Sequence, residues 1–278
     1  MTWQSKNAVA QDGDLAEIVG LRHQHFIIKL KPGEELHTHR GIVRHDDLIG
    51  KPWGSQFFSH NGNPFFLLQP GLSDIIRSIP RSTQIMYPKD IGFMLVYMGI
   101  GPGRICVEAG TGSGSMTAAL AFAVGDTGKV ISYEINPDFQ SIALKNLQRL
   151  GLDHRVILKT RDIRDGFDEK DVDVLFLDVQ YPYDYIQQVK ETLKPGGFFC
   201  SIVPTTNKVV LLLDALKREK FGFIEVCEVL LRYYKSDAEH FRPTDRMVAH
   251  TGYIVFARPM IIENETIPDC SLEKFDLE

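Results

Sequence analysis

Two textures of hydrophobic patterning divide the chain. Over residues 1–80 the apolar positions come in short or alternating runs, such as His25-Phe-Ile-Ile-Lys-Leu30 and Pro64-Phe-Phe-Leu-Leu-Gln69, separated by Lys31-Pro-Gly33, Asn61-Gly-Asn-Pro64 and Gln69-Pro-Gly71. Runs bounded by glycine and proline read as strands joined by tight turns. They predict a small all-β, barrel-like module over 1–80. From Pro88 onward strands alternate with helical stretches, the pattern of a mostly parallel sheet with helices on both faces. Leu193-Lys-Pro-Gly-Gly-Phe-Phe-Cys200 reads as a helix end, a glycine turn and a fifth strand, and Phe221–Arg232 and Gly252–Ala257 supply two more. An α/β domain is therefore expected over 81–263, and the polar, acidic residues 264–278 read as a loose tail.

Charge changes this picture little. A formal charge of -5 argues against indiscriminate nucleic-acid binding. Residues 51–105 nevertheless carry five Lys/Arg against two Asp/Glu, so any RNA surface is local. No long apolar run marks a membrane span, and Met1-Thr-Trp-Gln-Ser-Lys lacks the apolar stretch of a secretory leader, so a cytoplasmic location is expected. Cys106, Cys200, Cys227 and Cys270 lie far apart and read as reduced structural residues. Five of the nine histidines (His23, His25, His37, His39, His45) fall in the first fifty residues, as surface residues on strands or as RNA contacts. His37 and His39 share a strand face, but no third ligand accompanies them, so no metal is expected.

The strongest chemical signal is Arg104-Ile-Cys-Val-Glu-Ala-Gly110-Thr-Gly-Ser-Gly-Ser-Met116, an apolar strand ending in an acid and entering a glycine-rich turn before a helix. Such a turn lets the backbone approach a ligand, although it also occurs as a plain structural connection. Ser115 occupies the third glycine position of the dinucleotide fingerprint, and no Lys-Ser/Thr pair follows, which disfavours NAD and nucleoside triphosphates. The next strand, Lys129–Glu134, ends in a carboxylate suited to accept both ribose hydroxyls of an adenosine. Asp162 is placed for an adenine amino group and Ile163 for the ring face, and Val172–Asp178 ends in a further acid. Any one of these acids could be a helix cap or a surface residue. Glu108, Glu134, Asp162 and Asp178 at successive strand tips point to one crevice beyond the carboxyl edge of the sheet.

This strand order resembles the seven-stranded sheet of the class I methyltransferases. More specifically, Leu36–Ile42, Arg81-Ser-Thr-Gln-Ile-Met-Tyr-Pro-Lys-Asp90 and Arg242-Pro-Thr-Asp-Arg-Met-Val-Ala-His-Thr-Gly-Tyr253 resemble the tRNA (adenine-58-N1)-methyltransferases over nearly the whole chain. The resemblance implies methyl transfer from S-adenosylmethionine to N1 of adenine 58, with adenine 57 left open, in the T-loop of tRNA. It also implies a homotetramer with tRNA bound across subunits. Carried over residue by residue, the cofactor contacts fall on Gln84, on Gly110, Thr111, Gly112, Ser113, Gly114, Ser115 and Met116, on Glu134, on Asp162 with Ile163, and on Asp178. Asp178 is also the implied catalytic acid, accepting a bond from the adenine N6 amino group as N1 gains positive charge. The target adenine must leave its stack, so aromatic walls should receive it. Tyr87 and Tyr183 are the candidates, with core packing as the alternative for each.

One departure stands out. After the acid, the family usually has a proline, a polar or acidic residue and then Pro-Trp, whereas this chain has Val179-Gln180-Tyr181-Pro182-Tyr183. Following Asp178 by only three and five positions, Tyr181 and Tyr183 are expected to help wall the adenine pocket. Two other functions compete: a protein carboxyl methyltransferase, which shares a similar glycine turn, and a non-catalytic RNA-binding subunit. The Gln84–Asp90 and Arg242–Tyr253 segments weigh against the first, and the intact glycines and acids against the second.

Overall fold

The computed structural model describes residue 3 and residues 6–21, 24–81 and 85–263. Gln84, His23, Cys270 and the expected tail 264–278 lie outside the described residues. Two compact units are present: the first ends at Pro80 and also takes in Gln148–Leu152, and the second begins at Arg81. Among the described residues no helix is long and apolar enough to cross a membrane.

In the first unit, β1 (Leu15–Gly20), β2 (Gln24–Lys29), β5 (Gln56–Phe58) and β6 (Pro64–Leu68) form an antiparallel sheet in the order β2-β1-β6-β5. A ribbon of β3 (Glu35–Thr38) and β4 (Gly41–Arg44) stands apart in the ladder, so the strands form two sheets rather than one closed barrel. A short helix, α1 (Leu72–Ser78), follows and was not expected of an all-β module. Alternation along the strands turns Ile18, Phe57, Phe65 and Leu67 into one core with Leu30, Val43 and Leu48. His25 is exposed on β2, as expected, with its Nδ1 2.8 Å from the buried Glu17 carboxylate, whereas His45 is not a surface residue. Buried His45 accepts the Lys31 N–H at 3.1 Å.

The second unit runs α2 (Pro88–Tyr97), β7 (Ile105–Ala109), α3 (Ser115–Val124), β8 (Lys129–Glu134), α4 (Pro137–Leu150), β9 (Val156–Thr160), β10 (Val172–Leu177), α5 (Ile186–Thr192), β11 (Leu193–Val203), α6 (Thr206–Arg218), β12 (Phe221–Cys227) and β13 (Tyr253–Pro259). Its strands form one seven-stranded sheet in the order β12-β13-β11-β10-β7-β8-β9, parallel except for β13, which is antiparallel to both neighbours. This is the class I methyltransferase fold. Successive side chains on a strand point to opposite faces. Phe199 accordingly packs with Leu212, Ala215 and Leu216 of α6, while the Cys200 Sγ lies 3.5 Å from Met94 Sδ of α2 on the other face. Helices therefore cover both faces.

Two boundaries differ from the pattern reading. The stretch Lys194–Gly197 is not a separate turn: Val172 pairs with Leu193 and Val174 with Phe198, so the extra residues bulge out of a continuous β11, with Gly196 at φ +70°. The segment Phe221–Arg232 is strand only as far as Cys227. Cys106 and Cys200 are buried free thiols, and burial pushes the Cys106 thiol up to about 12.

Candidate active site

Strand order reverses between β7 and β10, because the chain builds outward from this pair in both directions, and ligands of open parallel sheets bind beyond such a point. The tips are held very close there. The Asp178 N–H donates to the Ala109 carbonyl at 2.9 Å, and a Cβ on Gly110 would stand 2.1 Å from the Asp178 carbonyl oxygen. Gly110 at φ +94° is thus required by the chain's own approach. The same holds for Gly114, at φ +83°, where a Cβ would meet Ala143 of α4 at 3.1 Å. Gly112, at φ +52°, aims its N–H at Glu134 Oε2, 2.9 Å away.

Beneath this turn lies a buried hydroxyl and carboxyl cluster. Glu108 has no solvent exposure; its Oε2 accepts bonds from Thr117 and Ser132 hydroxyls, each at 2.6 Å, and Ser132 in turn is 2.7 Å from the Thr111 hydroxyl. Its Oε1 has no hydrogen-bond partner among the described residues. Burial pushes the Glu108 carboxyl up to about 7 against the lowering effect of the two hydroxyls, and the negative charges of Asp178 and Glu134 add to the rise.

Above the turn opens a cavity of about 410 Å³, lined by Ala109, Gly110 and Gly112, by Tyr133, Glu134, Ile135 and Phe139, by Arg161, Asp162, Ile163 and Arg164, and by Asp178, Val179, Gln180, Tyr181 and Tyr185. Glu134 is buried with one oxygen on the Gly112 N–H and the other accepting the Asn136 N–H at 3.0 Å. Asp162 accepts the Arg164 N–H at 2.9 Å, so it is both a cap of the short turn that follows β9 and a wall of the cavity. The Asp178 side chain is open to the cavity, yet the walls crowd its carboxyl and strip much of its water. That desolvation pushes it up to about 6, with Glu134 adding to the rise.

The residues predicted from sequence divide into three groups. Gly110, Gly112, Glu134, Asp162, Ile163 and Asp178 meet in the cavity wall. Thr111, Ser113, Gly114, Ser115 and Met116 do not line it; they continue the turn into the first residues of α3, largely buried behind it. Tyr87 caps the N-terminus of α2 with its ring partly exposed, and Tyr183 packs against the hydrophobic core, so neither lines the cavity. Tyr181 does, alongside Tyr185, Tyr133 and Phe139, which the pattern reading passed over. Tyr133 was findable as the residue before the Glu134 tip, whereas Phe139 and Tyr185 sit on helical turns whose facing only the fold decides. The two family-specific segments also meet: Lys89 Nζ bonds Asp90 Oδ1 at 2.7 Å and Thr251 Oγ1 at 2.6 Å, with Asp90 fully buried.

The site fits S-adenosylmethionine. Its volume is that of a small-molecule pocket, Ile135, Ile163 and Phe139 give apolar walls that an adenine could face, and Glu134 brings a carboxylate to the same wall. The Glu134 and Asp178 carboxyls in the cavity wall, above the buried Glu108 whose Oε1 has no partner among the described residues, suit a ligand bearing sulfonium and ammonium charge.

Comparison with known proteins agrees with this geometry. The family described as tRNA methyltransferase complex GCD14 subunit matches residues 65–242, and the family described as TrmI-like N-terminal matches residues 10–56. The tRNA (adenine(57)-N(1)/adenine(58)-N(1))-methyltransferase TrmI of Methanocaldococcus jannaschii is 37% identical over 267 residues, spanning 87% of this chain and 93% of that one. Among solved structures, a SAM-dependent O-methyltransferase from Thermotoga maritima superposes with TM-score 0.87 at 42% identity, over 92% of this chain and 97% of that one. The tRNA (m1A58) methyltransferase TrmI from Aquifex aeolicus does so with TM-score 0.80 at 33% identity, over 91% of this chain and all of that one. With a family match across more than half its length and relatives at this identity along most of it, the chain belongs to the tRNA (adenine-58-N1)-methyltransferase family.

Proposed function

We propose that the chain transfers a methyl group from S-adenosylmethionine to N1 of adenine 58 in the T-loop of tRNA, with adenine 57 as the second position to test. The observation that carries this reading is Asp178, a carboxyl at the switch point of the sheet that shares one cavity with Glu134 and Asp162.

In this reading Glu134 receives the ribose hydroxyls, Asp162 the adenine amino group and Ile163 the ring face of the cofactor, while Gly110 and Gly112 form the floor and Thr111, Ser113, Gly114, Ser115 and Met116 back it from behind. Gln84 is a further expected contact. The bound cofactor supplies an electrophilic methyl group on its sulfonium. Asp178, pushed up to about 6, is ionised at neutral pH and accepts a hydrogen bond from N6 of the target adenine, stabilising the positive charge that develops as N1 attacks. The cavity walls hold N1 in line and exclude water, and positioning of this kind supplies much of the rate in a direct displacement. Tyr181 offers its ring to the extruded base and Tyr183 supports it from 6.0 Å away, whereas Tyr87, at the start of α2, stands outside the cavity wall. A protein carboxylate is a poor acceptor here, because Asp178 and Glu134 would repel it.

The assembled form is proposed to be a homotetramer acting on cytoplasmic tRNA. The family resemblance implies this assembly, and the segment after β12, where Leu230, Tyr233, Tyr234 and Phe241 are exposed, offers apolar surface that association would cover. Light scattering on the purified protein tests this.

The function is tested by incubating the protein with an unmodified tRNA transcript and S-adenosylmethionine, then digesting the RNA for nucleoside mass spectrometry. N1-methyladenosine that disappears when adenine 58 is replaced supports the reading. Methyl incorporation only as a base-labile protein ester, or on an RNA oxygen, overturns it.

A further inference from the structure

We propose that Lys208, in the first turn of α6, is a positioning residue that holds the loop after Asp178 so that Tyr181 presents its ring to the cavity. The proposal rests on the methyltransferase reading above. The loop has two fixed ends. At one, the Asp178 N–H is bonded to Ala109 at 2.9 Å; at the other, buried Pro182 opens a short helical turn, and the Asp184 N–H closes it on the Tyr181 carbonyl at 3.1 Å. Val179 packs on the core, but Gln180 and Tyr181 stand exposed on the cavity side.

Lys208 reaches both exposed residues at once. Its Nζ donates to the Gln180 carbonyl at 2.7 Å and stands 5.4 Å from the centre of the Tyr181 ring. A charged hydrogen bond to the backbone fixes the loop's path, and the ammonium against the ring face fixes the side chain that follows. The lysine itself is well anchored, because Leu212, Ala215 and Leu216 of the same helix are buried in the core that also takes in Val179 and Tyr183. Among the described residues no carboxylate forms an ion pair with Lys208, so its contacts here are with neutral groups of this loop. Gln180 has no φ restraint of its own; a proline there would provide one.

The test uses three variants of the full chain: Lys208→Met, Lys208→Arg, and Lys208→Met combined with Gln180→Pro. Single-turnover methylation of tRNA, cofactor affinity, the salt dependence of tRNA binding and hydrogen exchange of peptides covering 179–185 are measured for each. Lys208→Met is expected to slow methylation roughly tenfold or more, as for loss of a charged hydrogen bond, and to speed exchange of the loop. Cofactor affinity and the salt slope should stay as in the parent. Lys208→Arg should keep most of the rate, and Gln180→Pro should restore rate and protection to the methionine variant by restricting the freed loop.

Parental rate and exchange in Lys208→Met would overturn the proposal. So would a loss seen as a shallower salt slope that Gln180→Pro does not repair, which is the signature of a phosphate contact. If the parent itself does not methylate tRNA, the functional reading falls, while the exchange comparison still decides whether Lys208 holds the loop.

Discussion

Replacing Glu108 by glutamine removes one buried charge while keeping the side chain's shape, and its consequences follow from the cluster beneath the glycine turn. The carboxyl is fully buried, bonded among the described residues through Oε2 alone, and pushed from 4.5 up to about 7. At about 1.4 kcal/mol per pH unit, that rise corresponds to roughly 3 kcal/mol of preference for the protonated form in the folded state. Below pH 4.5 the group is protonated in both folded and unfolded chains, and its contribution to stability is fully present. As pH rises to about 7 the unfolded chain gives up the proton first, so stability falls, and above about 7 it levels off. Glutamine cannot ionise and escapes this fall. Asp178, also raised, lowers the stability of both proteins between 3.8 and about 6, so the comparison is read at the alkaline end, where Asp178 is ionised in both. Urea unfolding of the cofactor-free proteins from about pH 5 to about pH 8.5 should give curves that separate by roughly 3 kcal/mol at the alkaline end, with Glu108→Gln the more stable. For a chain of this size that is roughly 6–12 °C in Tm. Parallel pH profiles would refute the reasoning. A cationic cofactor favours the ionised carboxyl, so parental affinity should tighten as pH rises through 7 while that of Glu108→Gln stays flat.

Asp178→Ala should lower methylation by ~10²-fold or more while the protein still melts cooperatively and binds cofactor; a parental rate in single turnover would remove Asp178 from the chemistry. Lys89→Met leaves buried Asp90 without its cation and should cost about 3–5 kcal/mol in urea unfolding, part of which Asp90→Asn in the same chain recovers; a loss under about 1 kcal/mol would mean that the pair behaves as a surface ion pair. Tyr181→Ala should slow tRNA turnover by a factor of roughly five or more with cofactor affinity kept, whereas Tyr183→Ala should chiefly lower Tm, since that ring packs on the core; the reverse pattern would move the adenine wall to Tyr183.

The parallel sheet was legible because several of its strands are short apolar runs with an acid at or next to the carboxyl end. Lys129-Val-Ile-Ser-Tyr-Glu134 and Val172-Asp-Val-Leu-Phe-Leu-Asp178 declare both their length and the edge at which they stop. Less legible were features in which one segment answers to another. The bulge at Lys194–Gly197 exists because β11 must keep pairing with β10 across a register shift, and proline with two glycines reads locally as a turn. His45 looks like a surface residue in sequence, yet the closing of its turn buries it against Lys31.

The same distinction governs the site. The acids Glu134, Asp162 and Asp178 could be found because a parallel sheet delivers every strand tip to one edge, so chain order alone places them together. The glycines do more than let a ligand approach: Gly110 answers to the Asp178 carbonyl and Gly114 to Ala143, contacts between segments far apart in sequence. These close approaches bind the function to the fold, since the contact that forbids a side chain at Gly110 is also what brings Asp178 beside the turn. Tyr181 and Tyr183 show where local sequence stops deciding which side chain faces the cavity. Two rings separated by one proline have equal claims in sequence, and only the packing of Tyr183 on the core leaves Tyr181, with Lys208 beside it, to face the cavity.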